Sequence, residues 1–314
     1  MTKTRNSVCT LLDIEHPILL APMAGVSGGA LAAAVSTAGG LGLIGGGYAM
    51  DDWVMQEVPA AGNTRTGIGF ITWRLAQNPA LLDRVLAHNP VAVMLSFGDP
   101  APFVPAIRKS GAKIICQVQT VAHARHAAKA GADILVAQGS EAGGHGGSRG
   151  LFSLLPAIRD ALPDIPVLAA GGLTDNADLQ AAAALGASGA LIGTRFFASP
   201  EALGHPHAKQ ALIDNGGDDT LRTTVFDVAR DLDWPAPYTV RAIRNDFTRK
   251  WHGNEASLDA EKADVVAGYT QSVQHGDTRI MGVFAGEGLD RIHSIKPTAD
   301  IFKSLVSTPV NWAR

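Results

Sequence analysis

Short apolar runs recur along the first two thirds of the chain, and segments with helical spacing separate most of them. Eight of these runs are predicted strands, at residues 17–21, 41–46, 66–71, 91–97, 113–118, 133–138, 166–172 and 189–194. The segments with helical spacing lie at 29–40, 79–88, 103–111, 120–131, 153–163 and 176–186. The predicted strands are continuously apolar with little alternation, which is typical of strands covered on both faces.

Regular alternation of strand and helix predicts a parallel sheet, and eight repeats predict an α/β protein with a closed (β/α)₈ TIM barrel. An open, doubly wound sheet is the alternative. The repeat stops after the eighth strand, which predicts a smaller insertion there. We expect a barrel formed by residues 1–204 and 276–314, and an insertion or capping domain at 205–275. Further helices are predicted at 259–271 and, returning to the barrel, at 296–307.

Most of the aromatic residues that follow Phe197 lie in the predicted insertion, including Phe226, Trp234, Tyr238, Phe247 and Trp251. We expect Trp234, Tyr238 and Trp251 to cap the active end of the barrel and to shape an apolar substrate pocket. The alternative is a separate small core that serves stability alone.

Composition and charge narrow the function classes. The chain is 46% hydrophobic and 18% charged with a net charge of −3, which is typical of a compact enzyme and gives no basic footprint for nucleic acid. Cys9 and Cys116 lack metal-ligand spacing, so neither a metal site nor a disulfide framework is predicted. The start has no apolar signal core, and glycine pairs break the apolar stretch at 17–47, so we expect a cytoplasmic protein with no membrane span. The sequence leaves the oligomeric state open, a homodimer included.

Two glycine-containing strand ends predict a phosphate site. The active site of a TIM barrel lies at the carboxyl ends of its strands, and phosphates often bind after the seventh and eighth. Here the seventh predicted strand ends at Gly171 and Gly172, and the eighth ends at Gly193 and Thr194. Glycine lets backbone N–H groups approach an anion closely, and Thr194 adds a hydroxyl. The alternative is that these glycines only form tight turns.

The sixth predicted strand is followed by the sequence GSEAGGHGGSRG at 139–150, which places His145 among glycines on the active face. Glycines allow conformations with positive φ and leave room for a flat ligand beside the chain. His145 could then transfer a proton or donate a hydrogen bond in the cleft. A surface histidine in a mobile loop is the alternative. Glu141 is either a second acid or an acceptor that fixes the loop.

Four motifs resemble the nitronate monooxygenase family, also described as the 2-nitropropane dioxygenase-like group of FMN enzymes. They are APMAGVS at 21–27, GSEAGGHGG at 139–147, AAGGLTD at 169–175 and LIGTRF at 191–196. The resemblance continues through RAIRNDF at 241–247 and a segment at 282–301, so it covers most of the chain. The group also contains flavin-type enoyl-acyl carrier protein reductases and NADH:quinone reductases.

The resemblance implies that FMN binds without a covalent link and that His145 is the active-site histidine. It implies that Ala21, Pro22 and Met23 lie along the isoalloxazine ring and that Gly171, Gly172, Gly193 and Thr194 hold the phosphate. The remaining cofactor-binding residues that it implies, beside the ring or the ribityl chain, are Gly69, Gln117, Gln138, Ala142 and Gly143. Three of these depart from patterns within the group: Gly69 replaces an asparagine, Gln117 a lysine and Ala142 a cysteine.

The function implied by the resemblance is FMN-dependent oxidation of an alkyl nitronate by O2 to a carbonyl compound and nitrite. His145 would hydrogen-bond the nitro group and remove the α-proton from a neutral nitroalkane. The alternative is a reductase that uses NAD(P)H and FMN to reduce an enone, an enoyl thioester or a quinone. A non-enzymatic flavin-binding protein is a third interpretation, which leaves the histidine without a task.

Overall fold

The prediction of a (β/α)₈ barrel is confirmed by the computed structural model, which describes residues 6–313. The strands are β1 (Ile18–Leu20), β2 (Leu43–Gly47), β3 (Gly67–Ile71), β4 (Ala92–Ser96), β5 (Lys113–Val118), β6 (Ile134–Gln138), β7 (Gly144–Gly146), β8 (Val167–Ala170), β9 (Gly189–Ile192), β10 (Thr220–Thr223) and β11 (Thr239–Ile243). Eight of them form one parallel sheet in the order β1-β9-β8-β6-β5-β4-β3-β2. A parallel bridge between Leu19 and Leu41 joins β1 to the entry of β2 and closes the sheet into a barrel.

The helices are α1 (Ser7–Leu12), α2 (Gly29–Thr37), α3 (Asp51–Ala60), α4 (Thr72–Leu75), α5 (Ala80–Leu86), α6 (Val104–Ser110), α7 (Val121–Ala130), α8 (Leu151–Ala161), α9 (Asn176–Ala184), α10 (Thr194–Phe197), α11 (Pro206–Asp214), α12 (Val225–Ala229), α13 (Asp246–Trp251), α14 (Glu255–Ala260), α15 (Lys262–His275) and α16 (Thr298–Leu305). Short 3-10 turns cover Gly217–Asp219 and Glu287–Arg291. Among the described residues no helix is both long enough and apolar enough to cross a membrane.

Local sequence explains where the barrel helices begin and end. Thr120 caps α7 by accepting a hydrogen bond from the His123 amide at 3.0 Å, and the helix ends at Gly131 with φ +110°. Asp175 and Asp178 form a capping box at the start of α9. These caps satisfy backbone groups that a helix end leaves unpaired, so each helix turns back toward the next strand at a defined residue.

The barrel has two apolar layers because successive strand residues face opposite sides. Leu19 belongs to the cluster that fills the barrel interior, whereas its neighbours Ile18 and Leu20 pack outward against the helices. Val8 and Leu12 of α1 are buried with the interior cluster, so this helix closes the end opposite the carboxyl ends of the strands. The other end of the barrel is left for a ligand.

The chain after β9 builds a second, smaller core. Its buried residues come from α12, β11 and helices α13 to α15, and they are Val225, Phe226, Ala229, Val240, Ala242, Phe247, Trp251, Leu258 and Tyr269. Ala208 and Leu212 of α11 instead join the main barrel core, and α16 returns to pack against α2, α9 and α10. The domain limits at 204/205 and 275/276 stay a prediction.

Candidate active site

One cavity of about 680 Å³ opens at the carboxyl ends of the barrel strands. Its volume lies within the usual range for sites that bind small molecules or cofactors. All the site residues predicted from the sequence line it: Ala21, Pro22, Met23, Gly69, Gln117, Gln138, Ala142, Gly143, His145, Gly171, Gly172, Gly193 and Thr194. Their assignment to a cofactor stays a prediction, but the fold brings them together.

Glycines crowd the side of the cavity next to β8 and β9. Gly171 and Gly172 have φ values of +118° and +72°, which L side chains rarely adopt, so glycine is required at this turn. The Gly286 amide donates to the Thr194 hydroxyl at 3.0 Å and draws a third segment over the same place. A Cβ at Gly288 would lie 2.9 Å from the Gly172 carbonyl oxygen. Backbone from three segments therefore surrounds a small, polar recess.

The segment that follows β1 forms one wall of the cavity. The backbone at 21–23 lines the cavity, and Pro22 fills the space beside Gly69 so closely that a Cβ there would lie 2.3 Å from the proline ring. The asparagine carried at this position by many members of the group that the motifs resemble therefore has no room here. Met23 approaches Gly193 from the other side, because a Cβ at Gly193 would lie 3.3 Å from its sulfur.

Two predicted contact residues, Gln117 and Gln138, are linked to each other. The side-chain oxygen of Gln138, Oε1, accepts hydrogen bonds from the side chains of Gln117 at 3.1 Å and Gln119 at 2.9 Å. The side-chain NH2 group of Gln138 donates to the backbone carbonyl of His145 at 2.8 Å. Gln138 thus ties the ends of β5 and β6 to the histidine segment as well as lining the cavity.

The glycine-rich segment after β6 is fixed in place. Gly144–Gly146 forms β7, which pairs antiparallel with β11, and β10 completes this three-stranded sheet. Arg222 and Arg241 both donate to the Ser140 carbonyl, with their closest distances 3.0 Å and 2.9 Å. The segment is therefore a strand with a side-chain clamp, whereas the sequence suggested a loop.

Glu141 fixes the same segment from its other end. Both carboxylate oxygens accept from the Leu151 amide at 2.9 Å and 3.0 Å, at the first residue of α8. A carboxylate at a helix N-terminus satisfies a free N–H group and complements the helix dipole. Of the two roles that the sequence left open, the structure places Glu141 in the loop-fixing one.

His145 is held by an aspartate that sequence reasoning missed. Its Nε2 lies 2.8 Å from Asp227 Oδ1, and the side chains are only 8% and 6% exposed. An ionised carboxylate only accepts hydrogen bonds, so neutral His145 carries its proton on Nε2 and keeps the lone pair on Nδ1. The ring also stacks on Trp234, with centroids 3.4 Å apart and planes 8° from parallel. The alternative of a mobile surface histidine is therefore wrong.

Burial sets the protonation state of this histidine. Desolvation lowers the pKa of His145, and the neighbouring Asp227 carboxylate opposes that shift without reversing it. The positive charges of Arg230 and Arg222 also lower the pKa. At neutral pH His145 is therefore neutral and able to accept a proton at Nδ1.

The predicted aromatic residues of the insertion divide between two places. Trp234 lines the cavity and donates from its indole nitrogen to the Tyr48 hydroxyl at 3.1 Å. Tyr238 does not itself line the cavity but packs edge-on against Phe97 and Trp234, which do. Trp251, which the sequence suggested would shape the pocket, lies in the small core instead and is 4% exposed.

Sequence reasoning also missed many residues of the cavity wall, among them Tyr48, Arg230, Gly286 and Gly288. The segment at 282–301 was noticed only as part of the resemblance. Its glycines carry the usable signal, because Gly282, Gly286 and Gly288 flank the short apolar run at 283–285. No local pattern marks Asp227 or Arg230.

The family model for nitronate monooxygenase matches residues 5–65 and 65–308. The chain belongs to the nitronate monooxygenase family. Members of this family are flavin-dependent oxidoreductases, so the predicted enzyme class is confirmed.

Individual relatives span nearly the whole chain. Nitronate monooxygenase of Neurospora crassa is 29% identical, with 93% of this chain and 88% of that protein covered. FabK from Thermotoga maritima superposes with a TM-score of 0.85 at 31% identity, over 97% of this chain and 96% of that one. Nitroalkane oxidase from Streptomyces ansochromogenes superposes with a TM-score of 0.81 at 30% identity, over 95% of this chain and 97% of that one. The family therefore spans the barrel and the insertion together.

Proposed function

We propose that this member of the nitronate monooxygenase family binds FMN non-covalently and oxidises alkyl nitronates with O2 to carbonyl compounds and nitrite. The observation that carries the proposal is one cavity with a glycine recess at β8 and β9 and with His145 in its wall, held from behind by the buried Asp227. A phosphate-bearing cofactor suits the recess, and proton transfer suits the pair.

The residues present fit FMN. The recess formed by Gly172, Gly193 and Thr194 offers backbone and hydroxyl groups to a phosphate, and it is bounded by Gly286. Apart from the two adjoining residues of the chain, a Cβ at Gly172 would have Glu141 Cβ as its sole described neighbour within 4 Å, at 3.6 Å. A side chain there would occupy the recess. The backbone at 21–23 lines the cavity, and position 69, which Pro22 contacts, has no side chain that would obstruct a planar ring system.

The chain's own groups then have separate tasks. The recess binds the phosphate, and the wall at 21–23, with Gln117, positions the ring. His145 removes the α-proton of a neutral nitroalkane through Nδ1, and Asp227 fixes the ring orientation and the tautomer. Trp234 stacks on one face of the His145 imidazole and keeps water from that face. Bound FMN supplies the electron-accepting and oxygen-reactive chemistry.

The test is purification followed by two assays. The protein should be yellow and release FMN on denaturation, and it should consume O2 and release nitrite when given ethyl nitronate without a nicotinamide. A colourless protein that takes up no FMN, or one that releases FAD, contradicts the cofactor assignment. The cytoplasmic location and a homodimer, both raised by the sequence, stay predictions within this proposal.

A further inference from the structure

Helix α12 brings a second charged residue to the histidine side of the cavity. Asp227 lies within the helix. Arg230 comes directly after the last helical residue and three positions after Asp227. Residues three apart lie on the same side of a helix. Arg230 lines the cavity, and its guanidinium carbon lies 5.0 Å from the Tyr48 ring centroid and 5.3 Å from the Phe284 ring centroid.

This guanidinium has no acidic partner. Among residues 6–313 no carboxylate oxygen lies within 4.0 Å of it, and Oδ1 of the nearby Asp227 carboxylate contacts His145 instead. The two other arginines around the histidine segment differ in this respect. Arg241 pairs with Glu287 at 2.7 Å, and Arg222 is occupied by backbone carbonyls. Arg230 is therefore a half-buried cation that faces the cavity without a counter-ion.

A half-buried positive charge is stabilised by an anion, and the two rings beside it supply only part of that stabilisation. The guanidinium is planar and presents parallel N–H groups, a geometry that matches planar groups with two oxygen atoms. Because Tyr48 and Phe284 flank the guanidinium, its orientation is restricted. The complementary ligand is thus a planar oxyanion in the substrate part of the cavity.

We propose that Arg230 binds the two-oxygen anionic group of the substrate and makes the site selective for planar oxyanions over neutral isosteres. This inference rests on the proposed function, in which the nitronate group is that anion. Arg230 thereby holds the two oxygen atoms of the nitronate, while His145 on the same wall faces the α-carbon, which carries a removable proton only when the substrate enters as the neutral nitroalkane.

The test uses acetate and acetamide, which have the same shape and differ in charge. Each is titrated into the FMN-loaded protein, and binding is followed from the flavin absorption spectrum without turnover. The wild type should bind acetate more tightly than acetamide. Arg230→Gln should weaken acetate binding about ten- to a hundredfold, as expected for a charge-assisted hydrogen bond, and should leave acetamide binding unchanged. The affinity of Arg230→Lys for acetate should lie between those of the wild type and Arg230→Gln, because lysine keeps the positive charge but lacks the parallel N–H groups of the guanidinium.

Arg74→Gln is the matched control. Arg74 also lies over an aromatic ring, 5.3 Å from the Trp73 centroid, but it does not line the cavity. Acetate should bind this variant as it binds the wild type. The proposal is overturned if the wild type does not prefer acetate over acetamide, or if either Arg230 variant binds acetate as the wild type does. Because the titration needs no turnover, it can succeed or fail independently of nitronate oxidation.

Discussion

The contact between His145 and Asp227 makes the sharpest prediction, which is the effect of Asp227→Asn. The carboxylate holds the proton on Nε2 and leaves the lone pair on Nδ1. An asparagine can turn its NH2 group toward Nε2, which moves the ring proton to Nδ1 and removes the base. The substitution also removes the negative charge that stabilises the imidazole ring once the ring has accepted a proton.

The magnitude follows from the task of the pair. A positioned general base contributes about 10²–10⁴ in rate, which is about 2.7–5.4 kcal/mol of activation free energy. Since both side chains are more than nine-tenths buried, water cannot replace the carboxylate. We therefore expect kcat/KM for nitroethane to fall within this range. The loss should be much smaller for preformed ethyl nitronate, which has no α-proton left to remove.

The pH profile gives a second readout. Only neutral His145 accepts a proton, so activity on nitroethane is lost as the pH falls through its pKa. Burial already lowers that pKa, and Asp227 is the group that opposes the shift. Removing the carboxylate should lower the pKa further and move the acid limb of the profile to lower pH. A purely structural role would leave the position of this limb unchanged.

The assay is kcat/KM on nitroethane and ethyl nitronate across pH, with flavin content measured for each variant. Asp99→Asn is the matched control, because it breaks an exposed contact of 2.7 Å between Asp99 and His126 outside the cavity. It should behave as the wild type on both substrates. The reasoning is refuted if Asp227→Asn retains its flavin and still matches Asp99→Asn on nitroethane.

Three further predictions concern the same cavity and the core beneath it. His145→Ala should keep its FMN, because the phosphate recess lies on other strands, and its kcat/KM on nitroethane should fall by about 10²–10⁴. The assigned role is contradicted if the variant is as active as the wild type on both nitroethane and ethyl nitronate. Gly172→Leu should lose flavin, whereas Gly62→Leu should keep it, because Gly62 has a similar φ of +62° but open surroundings. Equal flavin content of the two variants by absorbance would refute the assignment of the recess to the cofactor phosphate. Cys116 should resist thiol reagents in the native protein at neutral pH, since burial raises its pKa to about 12, and rapid labelling measured by mass would overturn this.

The barrel was predictable because its information is local. Each barrel strand is a short apolar run followed by a helical pattern, and the observed β6, Ile134–Gln138, lies within the predicted run at 133–138. Helix α3 was missed because Asp51–Ala60 carries three acidic residues, a proline and no clear apolar stripe. Its place between β2 and β3 comes from packing against the barrel, which a propensity argument does not contain.

The site was predictable only where glycines and strand ends mark it. The recess and the position of His145 follow from the ends of three barrel strands, whose common edge is fixed by the fold. The partner of His145 lies 82 residues further along the chain, in an insertion without repeats. The sheet formed by β7 and β11 likewise pairs segments far apart in sequence, and a strand of Gly-His-Gly has no β pattern.

The central claim is that a nitronate alone reduces the flavin of this protein. Anaerobic stopped-flow mixing of the FMN-loaded protein with ethyl nitronate, and separately with NADH and NADPH, tests it directly. The proposed function predicts rapid bleaching of the flavin by the nitronate without any nicotinamide, and reoxidation when O2 is admitted. Bleaching by NADH or NADPH alone, with no response to the nitronate, would contradict it and identify a reductase that acts on an enone, an enoyl thioester or a quinone.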